Sequence, residues 1–418
     1  MPLMTRSSLL RWLAVFAWVA VIFAAIPFVL SLREYFVARW PAELIGIGVI
    51  LVVVALCAAG LIFLRRRRRR LPFTDAALLL VVTTVLVIWT WRLMGQPEEA
   101  VHFLEYGVLG VLLFRALRMG IQDSSVFAAG ALIGILVGIF DEIIQWFVPG
   151  RFWDFRDIVL NGGASILVQI ALSVLAPAQS SPISRRSLRR LCRLAAAVVV
   201  LLSICFAATP RRVNHVAELL PALENLVSGD EAISEYGHHH RLDELTSFRS
   251  RLSLDDLARE DGSRAGEVAD KLDASRRNYA DFLRHTSPAV DPFTYEVRVH
   301  LFARDRSAAQ ARKLTPGSPA YRESMTAAFR ENLILERVFG ATLARSSYPW
   351  SPTRRVAIDG AQDETSAFVS KVGAHVITAV SEDEMMSLMV SILVALVICD
   401  LLLGYDATRR PPPESPPV

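Results

Sequence analysis

The sequence predicts a mainly α-helical, polytopic membrane bundle of about eight spans that carries a small α+β extracytoplasmic domain. Three observations lead there. The chain has 418 residues of which 53% are hydrophobic, and its mean hydropathy is +0.38. The apolar residues gather in runs of roughly 17 to 24, the length a helix needs to cross about 30 Å of hydrocarbon. The basic residues cluster beside those runs rather than over a soluble surface.

The runs set spans at about 9–31, 43–64, 74–92, 101–117, 124–146, 157–175, 191–208 and 386–404. Arg6 and Arg11 precede the first. Its length, and the lack of a small-x-small site before Arg33, favour an uncleaved span over a removed signal peptide. Three basic clusters orient the chain: Arg65–Arg70, Arg115 with Arg118, and Arg185, Arg186, Arg189, Arg190 and Arg193. Two spans separate each cluster from the next, so all three fall on one face, taken as cytoplasmic by the positive-inside rule. Arg409 and Arg410 join them. The loop before His102, the loop 147–156 and the polar segment 209–385 then face outward from a cell (inner or plasma) membrane.

The formal charge of +4 could suit nucleic acid, but charges placed at span ends meet lipid headgroups instead. No nucleic-acid partner is expected; membrane lipids are. Cys57, Cys192, Cys205 and Cys399 lie in or beside apolar runs and imply no disulfide framework.

The organisation that follows is an N-terminal pair of spans with an Arg run (1–73), a four-helix membrane domain (74–176), a linker and span (177–208), the outward domain (209–385), a last span (386–404) and a proline-rich tail (405–418). Within the outward domain, helices are expected at Val213–Val227, Gly266–Arg284 and Ala320–Ser346. Strands are expected at Thr294–Phe302, Arg355–Ile358 and His375–Val380. The case for Thr294–Phe302 is alternation: Tyr295, Val297, Val299 and Leu301 against Glu296, Arg298 and His300.

The residues that carry chemistry sit at the outward ends of spans four to six. His102, Glu105 and Tyr106 are spaced i, i+3, i+4 and share a helix face. Asp141 and Gln145 are i, i+4, with Glu142 alongside, and their face continues through Gly138, Gly134 and Gly130, a small-xxx-small stripe that admits a close neighbour. Asp157 and Asn161 are i, i+4, continuing toward Ala164 and Ser165. The intervening linker carries Arg151 and Asp154. Any one of these can be structural. Asp157 can cap a helix, and Arg151 can pair with Asp154 or Asp141. As a set they join three spans at one depth, and ionisable groups within a membrane are costly enough to imply use.

These residues also resemble a known family. His102-Phe103-Leu104-Glu105-Tyr106, then Asp141-Glu142-Ile143-Ile144-Gln145-Trp146-Phe147-Val148-Pro149-Gly150-Arg151, then Asp154, Asp157 and Asn161, is similar to the VanZ-like family over about residues 75–176. One departure is that Glu98-Glu99-Ala100-Val101 stands where that pattern often has a basic residue before the histidine. The resemblance implies a cell-envelope membrane protein linked to teicoplanin-type antibiotic resistance, with no settled reaction.

Three functions stay open. The first is recognition of a lipid-linked cell-wall precursor or a lipoglycopeptide, with His102, Glu105, Tyr106, Asp141, Glu142, Gln145, Arg151, Asp154, Asp157 and Asn161 as the binding set. The second is an intramembrane enzyme acting on a lipid headgroup. There His102, Glu105, Asp141 and Glu142 are the candidate acids and bases, or Asp141, Glu142 and Asp157 hold a divalent cation. The third is a sensor or scaffold working through its ectodomain. No cofactor is expected. HExxH, paired CxxC, P-loop and GxSxG signatures do not occur, and His238-His239-His240 reads as a solvated loop rather than a metal site.

Overall fold

The computed structural model describes residues 6–67, 72–148, 155–177, 182–219, 235–276, 278–288, 290–373 and 377–409. The protein is mainly helical and divides into two compact units. One runs to Cys205 and resumes at Leu388; the other is Phe206–Ser387.

Among the described residues, eight helical stretches are long and apolar enough to cross a membrane: Arg6–Phe28, Glu43–Arg67, Phe73–Arg92, Glu99–Leu117, Ser125–Trp146, Phe155–Leu175, Arg185–Ala207 and Glu382–Tyr405. This is a multi-pass membrane protein. The helices are α1 (Arg6–Ala25), α2 (Val29–Val37), α3 (Glu43–Arg67), α4 (Phe73–Arg92), α5 (His102–Leu117), α6 (Ser125–Trp146), α7 (Phe155–Leu175) and α8 (Arg185–Ala207), with α16 (Glu382–Arg409) after the second unit. The first span does not run straight to residue 31. Pro27 lies in a 3-10 turn at Ile26–Phe28, where its missing N–H and ring interrupt the helical ladder. The separate helix α2 begins beyond that break.

Helices α5, α6 and α7 form the centre of the bundle. Phe103, Tyr106, Leu109 and Leu113 of α5 pack with Leu160 and Ala164 of α7, flanked by Val15 and Ile22 of α1 and Val49 and Val53 of α3. At the basic end, Asp123 ties two helix starts together. Its Oδ1 accepts from Ser125 N at 2.9 Å and its Oδ2 from Ser187 Oγ at 2.7 Å. Burial pushes the Asp123 carboxyl up, but the hydrogen bonds from Ser125, Ser187 and Ser184 outweigh it and hold the group below the usual carboxylate range. Helix α16 is fastened to α8 by charge: Asp400 accepts from Arg189 Nε at 3.1 Å and from Arg193 Nε at 3.2 Å. Pairing is what makes a carboxylate in an apolar helix tolerable.

The second unit has its own core and a three-stranded sheet. Its elements are α9 (Pro210–Leu219), β1 (His238–Arg241), β2 (Thr246–Ser250), α10 (Leu254–Ala274), α11 (Tyr279–His285), α12 (Pro292–Ala311), α13 (Pro319–Val338), α14 (Gly340–Arg345), α15 (Pro352–Asp359) and β3 (Phe368–Val369). Strand β2 is central, antiparallel to β1 and parallel to β3. Phe248 of β2 packs with Leu257, Leu272, Val297, Leu301 and Leu335 from the helices.

Several expectations for this segment are corrected. Thr294–Phe302 is not a strand but part of α12. Asp291 caps that helix by accepting from Thr294 N, and Pro292 fits its first turn. The alternation misled because its polar members are inside: Glu296, Arg298 and His300 are buried and partnered. Arg355–Ile358 is likewise helical, within α15, capped by Ser351. Ile377–Val380 forms no strand, and 374–376 lie outside the described residues. The long helices expected at Gly266–Arg284 and Ala320–Ser346 each divide in two. Of Val213–Val227, residues to Leu219 are helical, in α9, and the rest lie outside the described residues.

The three histidines expected in a loop form β1. His238 and His240 lie on one side of the strand with rings stacked 5.7 Å apart, and His240 Nε2 lies 2.9 Å from the Leu252 carbonyl. Burial pushes the His240 imidazole below its ordinary value, against the upward pull of that carbonyl. No group of three or more potential His, Cys, Asp or Glu metal ligands occurs among the described residues.

Candidate functional site

The site is built on an unusually close pair of helices. Helices α6 and α7 run antiparallel, and every fourth residue of one meets every fourth of the other. A Cβ on Gly138 would stand 2.7 Å from Asn161 Cβ, one on Gly134 would stand 2.3 Å from Ser165 Oγ, and one on Gly130 would stand 2.8 Å from Gln169 Cδ. Only glycine leaves room for polar side chains there. Gln169 crosses to a third helix, donating from Nε2 to the Gly110 carbonyl of α5 at 2.9 Å. The glycine stripe read from the sequence therefore has a named counterpart on α7.

Above this seam the polar groups converge. Tyr106, fully buried, donates from its hydroxyl to Asp141 Oδ2 at 3.4 Å, joining α5 to α6. His102 Nδ1 lies 3.2 Å from Glu105 Oε2. Gln145 donates from Nε2 to Glu142 Oε1 at 2.9 Å. Trp18 of α1 donates to the Glu105 carbonyl at 3.0 Å. Asp141, Glu142, Gln145 and Asn161 are all buried. A cavity of about 350 Å³ opens against this group, with His102, Glu105, Asp141 and Gln145 in its lining. Tyr106, Glu142, Asp157 and Asn161 do not line it. Arg151 and Asp154 lie outside the described residues.

The other walls of the cavity come from residues to which the sequence reading assigned no role. Ile22, Ile26, Val29, Leu32, Phe36 and Ile45 supply an apolar side from α1, the 3-10 turn, α2 and α3. Arg33 of α2 and Glu98 complete the lining with Val101 and Ala25, the Arg33 Nε and Glu98 Oε1 atoms 2.6 Å apart. The signal for α2 was present in the sequence. Leu32, Tyr35, Phe36 and Trp40 surround Arg33 and Arg39, the mixture of aromatic and basic residues that settles at a membrane interface. A second hollow of about 340 Å³, lined by Trp89, Leu93, Phe155, Arg156, Val159 and Leu160, lies by α4 and α7.

A family model described as VanZ/LLP1 matches residues 10–176. The membrane region from residue 10 to residue 176 is VanZ-like. The rest of the chain is matched by no family model. Neither curated proteins nor solved structures gave a match to the chain. The VanZ-like region begins at residue 10 rather than near residue 75, so it takes in the helices that wall the cavity. The polar face and the apolar wall thus belong to one matched region.

The chemistry of the VanZ-like site follows from its groups. The carboxylates can accept hydrogen bonds from hydroxyl or amine groups, and the Gln145 amide can accept or donate them. His102 beside Glu105 can exchange a proton at the cavity edge. The apolar side can hold a hydrocarbon chain.

Proposed function

We propose that this VanZ-like membrane protein recognises a lipid-linked component of the bacterial cell envelope, or a lipoglycopeptide, at the outer face of the cell membrane. One observation carries the reading. A single cavity of about 350 Å³ joins an apolar wall of Ile22, Ile26, Val29, Leu32 and Phe36 to a polar end of His102, Glu105, Asp141 and Gln145. Such a cavity suits an amphiphile whose chain and headgroup are both held. The outward assignment follows from the basic ends of α3, α5 and α8 under the positive-inside rule.

The test is native mass spectrometry of the full chain released from membranes, beside a variant carrying His102→Ala and Asp141→Asn. A lipid that co-purifies with the parent and is lost from an equally abundant variant supports recognition. A variant that keeps the same lipid complement as the parent refutes it. Sensitivity of a deletion strain to lipoglycopeptides distinguishes the two ligand sources.

A second reading, an enzyme acting on a lipid headgroup, is favoured by the His102–Glu105 contact at the cavity edge. Lipids of a deletion strain would then contain an unmodified precursor, restored to product by the parent gene but not by Glu105→Gln.

A further inference from the structure

We infer that Arg33 is the anion anchor of the cavity and that the amphiphile it takes carries a phosphate between its apolar tail and a hydroxyl- or amine-bearing headgroup. This rests on the reading that the cavity holds an amphiphile.

Four observations support it. First, Arg33 is incompletely used. Among the described residues its recorded partner is Glu98, reached through Nε, and its side chain is 42% exposed. A guanidinium held by Nε still presents its two Nη groups, and that planar fork fits phosphate oxygens.

Second, Glu98 is a poor permanent partner. Its Oε1 faces Arg33, while its Oε2 is buried with no hydrogen-bond partner among the described residues. A half-satisfied carboxylate on a half-exposed arginine is a contact that a better-placed anion can displace.

Third, the depth is right for phosphate. Arg33 belongs to the short helix α2 with Tyr35 and Phe36, Trp40 follows three residues after its end, and the Arg39 guanidinium lies 3.7 Å from the Tyr35 ring centroid. Aromatic rings of this kind mark the headgroup level of a bilayer, where phosphate is the common anion of a lipid.

Fourth, the lining supplies a group of each kind. The apolar lining includes Ile22 of α1 and Ile26 of the 3-10 turn, Arg33 of α2 lines the same cavity, and Glu105, Asp141 and Gln145 supply its acceptors. These last are acceptors and suit hydroxyls or an amine rather than a second phosphate. Tail, phosphate and headgroup therefore each meet groups of complementary chemistry.

The experiment uses the full chain in neutral lipid nanodiscs with three probes: a photoreactive dodecyl phosphate, the corresponding neutral dodecyl glycoside, and inorganic phosphate as competitor. Arg33→Ala should weaken capture of the dodecyl phosphate by about tenfold or more, the loss expected for one charge-assisted contact, and leave the glycoside unchanged. Arg33→Lys should recover part of it. Glu98→Gln should strengthen capture, because it frees the guanidinium. Opposite signs for Arg33→Ala and Glu98→Gln set an anchor apart from a structural ion pair, in which both changes act alike. Equal capture of both amphiphiles by Arg33→Ala and parent overturns the anchor and leaves the cavity reading standing. Capture of neither amphiphile by the parent overturns both. Competition by inorganic phosphate at the concentration of the dodecyl probe would assign the site to free phosphate and overturn the lipid.

Discussion

Replacing Gly134 by alanine tests whether the α6–α7 seam positions the site. The new Cβ would lie 2.3 Å from Ser165 Oγ and 2.7 Å from Ser165 Cβ. The hydroxyl can rotate away, but the Cβ is fixed to the α7 backbone. Carbon atoms rest at about 3.5–4.0 Å, so the helices must part by roughly 1 Å. Overpacking of this kind costs about 1–3 kcal/mol. It also strains two neighbouring contacts, Asn161 on Gly138 and Gln169 on the Gly110 carbonyl. Gly107→Ala is the control. Nothing stands within 4 Å of a Cβ there, so alanine should gain about 0.5–1 kcal/mol of helix propensity. Ser165→Gly removes both clashing atoms and should rescue Gly134→Ala, giving a coupling of about 1–3 kcal/mol in a double-mutant cycle. The measurement is unfolding free energy of the full chain in detergent. A Gly134→Ala protein as stable as its parent, or a double variant no better than the sum of its singles, would show that the seam is not closely packed.

Three further outcomes are expected. Burial pushes the Asp291 carboxyl up, but hydrogen bonds from Arg264 and Thr294 prevail and hold it at about 2. Its contribution of about 2 kcal/mol is therefore complete above the unfolded value near 3.9 and is lost as pH falls through about 2. Asp291→Asn should be less stable than the parent at pH 6, with the gap closing toward pH 2 in denaturant melts; a constant gap refutes the assignment. Glu331 lies 2.6 Å from His300 Nδ1 and accepts from Ser370 Oγ at 2.6 Å, all three buried. Glu331→Ala strands both partners at a cost of about 3–5 kcal/mol and should make residues 206–387 protease-sensitive in the full chain; parent-like resistance argues against it. In a background lacking the four cysteines, an impermeant maleimide should label Ser263→Cys from outside intact cells but not Gly120→Cys, and the reverse pattern would invert the orientation.

The membrane spans were legible because each is a long apolar run bounded by charge, and no alternative fold satisfies the backbone of such a run in lipid. The second unit was harder, for a reason visible in α12. A helix that buries Glu296, Arg298, His300 and Arg304 defeats a reading that places polar residues in water. These side chains are inside because they find partners there: Glu296 accepts from Ser250, Arg298 lies over the Tyr279 ring, and Arg304 donates to Asn332 and to the Tyr348 carbonyl. Period-two alternation then mimics a strand. The converse happened at His238–Arg241, where three polar residues in a row hid a strand whose side chains split between two faces.

The polar side of the site was legible for a similar local reason. Helical spacing alone puts His102 with Glu105 and Tyr106, and Asp141 with Gln145, because those partners lie within one turn. The apolar side was not, because no local rule connects Arg33 to Glu98 across 65 positions, or Ile22 and Ile45 to the same cavity. Pro27 is what creates that side. By ending α1 it lets α2 leave the span and bring Leu32, Arg33 and Phe36 to the cavity. The break and the carboxylates therefore border one cavity, and both lie within the matched residues 10–176. The motif residues supply acceptors, and α2 adds Val29, Leu32 and Phe36 to the same cavity, the side on which the proposed amphiphile would rest its tail.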